Sequence, residues 1–209
     1  LVSPSNWLAE CARQSVLMRD QNCTVIPNCI DTLTFKPINR GVARQILNLK
    51  IDRQYILFGA MNSTSDSRKG FKFLKAALKK LSQDKSIAAK TELLIFGANK
   101  PEEEENLSFP THYLGQLNDD ISLCLLYSAA DIYVAPSMQD NLPNTLVEAM
   151  ACGTPCVAFS IGGMTDLIIE GISGLLAKPF EVDSLSETIK NSLTLKFNRE
   201  EIHKSAKER

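Results

Sequence analysis

The chain has 209 residues, 44% of them hydrophobic, and a formal net charge of −1. That length builds one large domain with a real core, or one domain plus part of another. Near-balanced charge excludes the basic footprint of a nucleic-acid binder or of a polybasic membrane anchor, and no apolar run is long enough to span a bilayer. No signal peptide opens the chain and its first residue is Leu1, so a piece of a longer protein is expected. Six cysteines (Cys11, Cys23, Cys29, Cys124, Cys152, Cys156) form no C-x-x-C pair, and only His112 and His203 are there to join them on zinc. They read as reduced, partly buried thiols of a cytosolic protein, with neither a metal site nor a disulfide framework.

In chain order, residues 5–19 carry a helical pattern, Val25-Ile-Pro-Asn-Cys29 reads as a short strand and turn, and Phe35-Lys-Pro-Ile-Asn39 as a linker punctuated by Pro37. Residues 1–26 are therefore expected to be the end of a preceding domain, and 27–40 a hinge. From 41 to 195 apolar runs alternate with amphipathic helices. The runs are Tyr55-Ile-Leu-Phe-Gly59, Leu93-Leu-Ile-Phe-Gly97, Ile132-Tyr-Val-Ala135 and Cys156-Val-Ala-Phe159. Continuous apolar runs fit strands buried on both faces of a parallel sheet. Between them, Phe71, Leu74, Leu78 and Leu81 share one face of 69–82. Ile121, Cys124, Leu125 and Ser128 share one face of 120–129, and Val182, Leu185, Ile189 and Leu193 one face of 181–195. The alternation predicts an α/β domain, a doubly wound Rossmann-like parallel sheet. Pro101-Glu-Glu-Glu-Glu-Asn106 reads as a solvated loop, and the charged segment 196–209 as a loosely ordered tail.

Ligands of open α/β sheets sit beyond the carboxyl ends of the strands. Three places qualify. Gly59–Gly70 follows a strand and opens a helix that Asp66 or Ser67 can cap. This puts Arg68 and Lys69 in its first turn, where cations oppose the dipole by roughly 0.3–1 kcal/mol each unless an anion is bound. The second place, Ala135–Gly153, holds a helix expected from about Leu142 to Gly153, a natural end residue. Leu142, Leu146, Ala149 and Met150 face inward on it, and Asn141, Asn144, Thr145 and Glu148 outward. Amides and a hydroxyl there suit a ligand rich in hydroxyls, and the helix start offers free N–H groups to a phosphate; an ordinary capped surface helix has the same pattern. The third, Ser160–Asp166, carries Gly162-Gly163, which permits close approach of backbone to a ligand or to a neighbouring domain, or simply makes a turn.

Residues 131–174 resemble the signature region of the retaining GT-B glycosyltransferases of family 4, glycosyl transferases group 1. That pattern is a strand ending in Pro-Ser, an acidic residue, seven residues, then Glu-Ala-Met-Ala-Cys-Gly-Thr-Pro, a strand and Gly-Gly-x-x-Glu. Pro136-Ser137, Asp140, Glu148-Ala-Met-Ala-Cys-Gly-Thr-Pro155, Gly162-Gly163 and Asp166 stand in those places. Lys69-Gly70 is similar to the family's Lys-Gly, and Val25-Ile-Pro-Asn-Cys-Ile-Asp31 resembles its hinge. The departures include Asp140 for Glu, Cys29 for the hinge Gly, and no Arg two residues past the first strand, a charge for which Arg68 is the substitute candidate.

The resemblance implies a C-terminal, donor-binding half of a GT-B fold. Lys69 with Arg68 and Gly70 would neutralise the donor diphosphate, helped by N–H groups near Thr145 and Leu146. Glu148 would accept from two ribose hydroxyls, while Asp140 and the backbone of Asn141, Leu142 and Asn144 face the sugar. Residues Gly115–Leu117 would read the base. Catalytic weight falls on Asp140, Glu148 and Lys69. The donor would be a nucleoside diphosphate sugar, with no metal or other cofactor and with retention. The acceptor, a glycan, lipid or polysaccharide precursor, would bind on the absent N-terminal domain. A cytoplasmic protein, peripheral on the membrane at most, is implied. Another GT-B enzyme, such as an epimerase or phosphorylase, and a non-catalytic nucleotide-sugar-binding module are the alternatives.

Overall fold

Six parallel strands, in the order β5-β4-β3-β6-β7-β8, make the sheet at the centre of a computed structural model that describes residues 1–59, 66–99 and 106–208. The elements run β1 (Val2–Ser3), α1 (Asn6–Gln14), β2 (Thr24–Val25), α2 (Arg40–Ile46), β3 (Gln54–Gly59), a 3-10 turn (Ser67–Lys69), α3 (Phe71–Leu81), α4 (Lys85–Ala88) and β4 (Thr91–Phe96). They continue with β5 (Thr111–Tyr113), α5 (Asp120–Ala129), β6 (Ile132–Ala135), α6 (Asn144–Ala151), β7 (Cys156–Phe159), α7 (Met164–Leu167), β8 (Gly174–Ala177), α8 (Val182–Thr194) and α9 (Arg199–Lys207). The glutamate-rich loop and the residues just past Gly59 fall largely outside the described residues.

The four apolar runs are the four central strands, β4, β3, β6 and β7. Period-2 alternation divides their side chains between two layers. Tyr55, Leu57, Tyr133 and Ala158 face α5, α6 and α9; Ile56, Phe58, Val134 and Phe159 face α3 and α8. The chain winds outward from β3 to β4 and β5, then returns to the other side of β3 with β6, β7 and β8. The strand order therefore reverses between β3 and β6, the doubly wound switch point. The edge strands β5 and β8 add to the four expected strands. In α5 the expected face is only half right: Cys124, Tyr127 and Ser128 are buried, whereas Ile121 is exposed.

Two segments differ from expectation. Helix α1 is shorter than 5–19: Ser5 caps it, its Oγ accepting from the Leu8 N–H, and Ser15 ends it in extended backbone with its N–H bonded to the Ala12 carbonyl. With β1 and β2 paired in parallel on either side, it forms a small βαβ unit apart from the main sheet. The segment after Lys196 is not a loose tail. Asn198 caps α9, whose Ile202 and Ala206, one turn apart, are buried in the layer shared with α6. Arg199 donates to the Ser128 and Ala130 carbonyls at the end of α5.

Candidate active site at the sheet switch point

Beyond the carboxyl ends of β3 and β6, two loops lock together. Asp66 caps the 3-10 turn, its carboxylate accepting from the Arg68 N–H at 2.9 Å. Gly70 then reverses the chain at φ 72°, and α3 begins only at Phe71. Arg68 and Lys69 are therefore in the turn before the helix, not in its first turn, and the expected dipole penalty does not arise. A Cβ on Gly70 would run into the Pro136 carbonyl oxygen, so glycine lets this turn lie against the end of β6. The Met138 N–H closes the junction on the Arg68 carbonyl at 2.7 Å.

On that junction Lys69 Nζ meets Asp140 Oδ2 at 3.0 Å, the two side chains being mostly buried. Two residues named from different motifs thus form one charge pair. Arg68 turns away: its guanidinium holds Asp66 at 2.9 Å and 75% of its side chain is exposed. That pairing lowers the Asp66 carboxyl and raises the Arg68 guanidinium from their ordinary values.

Helix α6 starts at Asn144 rather than Leu142. Pro143 disfavours helical backbone in the residue before it, so Leu142 stays outside the helix. One expected donor is also lost: the Leu146 N–H is spent on the Pro143 carbonyl at 3.0 Å, which leaves Asn144 and Thr145 at the open first turn. Leu142, Leu146, Ala149 and Met150 are buried and Gly153 ends the helix at φ 73°, as expected. Glu148, one turn in, is half-buried, and the buried Tyr127 hydroxyl donates to its Oε2 at 2.8 Å. Burial raises the Glu148 carboxyl from its usual value, and the Tyr127 hydrogen bond works against that rise.

The glycine pair serves the protein's own backbone. Gly162 and Gly163 approach the carbonyls of Asp140 and Asn141, which a Cβ on either would strike, and the Gly163 N–H donates to the Asp140 carbonyl at 3.1 Å. Gly115 sits at φ 66°, its carbonyl accepting from the Gly97 N–H at 2.7 Å, so the turns after β4 and β5 do meet. Tyr133, fully buried, donates to the Gly59 carbonyl at 2.6 Å across the switch point.

Contacts from the N-terminal unit were not foreseen. Ser5 Oγ donates to Asn141 Oδ1 at 2.5 Å, Asn28 Nδ2 to Asn144 Oδ1 at 3.1 Å, and the Trp7 N–H to Asp166 Oδ2 at 3.0 Å. A cavity of about 610 Å³ lies beside this seam, lined by Ser5, Asn28, Leu142, Val147 and Asp166 but by neither Lys69 nor Glu148. On the N-terminal side the sequence signals for these contacts are faint: of Ser5, Trp7 and Asn28, only Asn28 belongs to a motif, that of the hinge.

Comparison with known proteins identifies the family and the fold. The model of one family, glycosyl transferases group 1, matches residues 53–194. The chain belongs to that family. A D-inositol 3-phosphate glycosyltransferase of Streptosporangium roseum is 28% identical over 155 residues, 69% of this chain and 35% of that protein. Sucrose-phosphate synthase from Thermosynechococcus elongatus superposes with a TM-score of 0.79 at 26% identity, over 99% of this chain and 52% of that one. Anabaena HepE, solved with UDP-glucose, shares the fold at 20% identity and a TM-score of 0.70, over 98% of this chain and 56% of that one. This glycosyl transferases group 1 chain thus spans about half the length of those solved structures and about a third of the curated relative. Its α/β architecture, with the six-stranded parallel sheet, is that of the GT-B glycosyltransferases it matches. Among the described residues no helix is long and apolar enough to cross a membrane.

Proposed function

We propose that this chain is the donor-binding half of a glycosyltransferase that moves a sugar, with retention, from a nucleoside diphosphate sugar to a glycan, lipid or polysaccharide precursor. The observation that carries the reading is the convergence of Lys69, Asp140 and the open first turn of α6 at the switch point of a doubly wound sheet. HepE, solved with UDP-glucose on the same fold, supports the choice of donor class.

Leaving-group departure puts growing negative charge on the diphosphate. Lys69 Nζ and the N–H groups of Asn144 and Thr145 meet that charge in fixed positions, which is how preorganised donors lower such a barrier. No metal is assigned a part. Glu148 accepts from the ribose hydroxyls, Asp140 faces the sugar, and the turns at Gly97 and Gly115 flank the base. The acceptor belongs to a domain N-terminal to this chain, in a cytoplasmic protein that is peripheral on the membrane at most.

The test is calorimetric titration of UDP, GDP and ADP into the wild-type chain, Lys69→Ala and Glu148→Ala. Binding of at least one nucleotide, weakened by both substitutions, is the expected result. No binding at all, or binding indifferent to both, overturns the reading.

A further inference from the structure

Glu148 is raised by burial, yet a carboxylate that accepts two hydroxyls must be ionised and held in one orientation. Tyr127 favours both conditions, opposing the rise and fixing one carboxylate oxygen. Its hydroxyl donates to Glu148 Oε2 at 2.8 Å. That leaves Oε1 and one lone pair of Oε2 for other donors. Burial holds the phenol itself far above its ordinary value, so it stays a donor at every working pH.

The ring has no freedom to leave. Tyr127 is fully buried, with Phe96 edge-on at 5.9 Å and Tyr133 edge-on at 5.6 Å. Its carbonyl accepts from Thr154 Oγ1 at 2.6 Å, which ties α5 to the loop after α6. One rigid side chain thus joins the layer beneath β4 and β6 to the ligand-facing carboxylate of α6.

We infer that Tyr127 is a positioning residue that orients the Glu148 carboxylate to receive the vicinal hydroxyls of a ribose. The inference rests on the reading of Glu148 as the ribose acceptor. It makes selection of ribose over deoxyribose a property of the pair, of which only Glu148 touches the ligand.

The experiment compares each of UDP, GDP and ADP with its 2′-deoxy counterpart, by calorimetry, on wild type, Glu148→Ala, Tyr127→Phe and the double variant. Wild type is expected to favour the ribonucleotide roughly tenfold, the worth of one hydrogen bond to a charged group. Tyr127→Phe, which removes one oxygen from a packed ring, should collapse that preference as far as Glu148→Ala does. The double variant should lose nothing more. A Glu148→Ala variant that keeps the preference, or a wild type that binds no nucleotide, overturns the donor-site reading itself. Collapse in Glu148→Ala with full preference retained in Tyr127→Phe overturns only the positioning role. A general loss of packing would weaken both nucleotides alike and leave their ratio unchanged, which also counts against it. Should Tyr127→Phe fail to fold, Glu148→Asp draws the carboxylate back from the same hydroxyl without touching the core, and must also collapse the preference.

Discussion

Lys69 Nζ lies 3.0 Å from Asp140 Oδ2, joining the turn after β3 to the loop after β6 across 71 positions of sequence. A diphosphate arriving at the α6 N-terminus must share that ammonium with the carboxylate or take it over. Lys69→Ala should therefore cost nucleoside diphosphate binding about 1.5–3 kcal/mol, the range for a charge-assisted hydrogen bond. Asp140→Asn should act in the opposite sense on the bare nucleotide, strengthening it by up to about 1 kcal/mol as a competing partly exposed pair is removed. Calorimetry on the two variants checks both signs; weaker nucleotide binding in Asp140→Asn would show that the carboxylate does not compete with phosphate.

Gly70 and Gly171 share a positive φ but not a neighbourhood. A Cβ on Gly70 meets the Pro136 carbonyl, whereas one on Gly171 meets nothing within 4 Å. Gly171→Ala should cost about 1 kcal/mol, the backbone term alone. Gly70→Ala adds an overpacking term and should cost about 2–4 kcal/mol. Thermal melts check the difference, since each kcal/mol moves the midpoint of a domain this size by about 2–4 °C.

Those two glycines show where sequence reading reaches and where it stops. Continuous apolar runs marked β3, β4, β6 and β7 because burial on both faces leaves no polar alternation to confuse them. The edge strands β5 and β8 give no continuous buried run: Thr111–Tyr113 is three residues long and no residue of it is fully buried, and only the two ends of Gly174–Ala177 are buried. Asp140, Glu148 and Lys69 stood out through motif spacing. Tyr127 did not, since a tyrosine inside an apolar helix reads as core and nothing in its spacing says where the hydroxyl ends. Gly162 and Gly163 were legible as a site of close approach, but the partner, the Asp140–Asn141 backbone, is a tertiary fact. The inward face of α6 runs back to Leu142, but Pro143 disfavours helix in the residue before it, so the helix itself begins at Asn144.

Glu148 has a folded-state carboxyl raised above its ordinary value by burial and by the nearby charge of Asp120, with the Tyr127 hydroxyl opposing. Tyr133 and Cys152, both uncharged at neutral pH, lie close enough to feel its charge. The native state then holds a proton more tightly than the unfolded chain. Ionising Glu148 costs stability as pH rises from its unfolded value, about 4.5, through the folded one, and the full cost remains above both. Glu148→Gln should therefore raise the melting midpoint at neutral pH, with the gain vanishing in acid below that window, while nucleotide affinity falls. Melts of both proteins as a function of pH check it; an equal offset at every pH would assign the gain to something other than charge.

Asp131 sits at the opposite end of the sheet from the candidate site and binds a cation cluster. It accepts from Arg40 at 2.6 Å, from Arg44 at 2.7 Å and from the Tyr55 N–H at 2.6 Å. Arg44 is almost wholly buried, with three more of its N–H groups donating to the Ala129, Ile51 and Arg53 carbonyls. Asp131→Ala leaves that guanidinium buried without its counter-ion, which costs about 3–5 kcal/mol. Denaturant unfolding should show this loss, while nucleotide affinity of the folded variant stays at the wild-type level because no ligand contact changes.

Helix α9 tests whether the charged end of the chain is part of the fold. Its sequence is mostly charged, but Ile202 and Ala206 lie one turn apart and both are buried against the layer that contains α6. Arg199 reaches back to the end of α5, where burial lowers its guanidinium to about 10. Removing Ile202 opens a cavity beneath the helix that carries Glu148. Ile202→Ala should therefore destabilise the chain by about 2–5 kcal/mol, the usual cost of truncating a buried isoleucine. Substitution of the exposed Glu201 by alanine serves as the control and should stay within about 0.5 kcal/mol. If Ile202→Ala melts with the wild type, α9 is dispensable to the core and its packing against α6 carries no free energy.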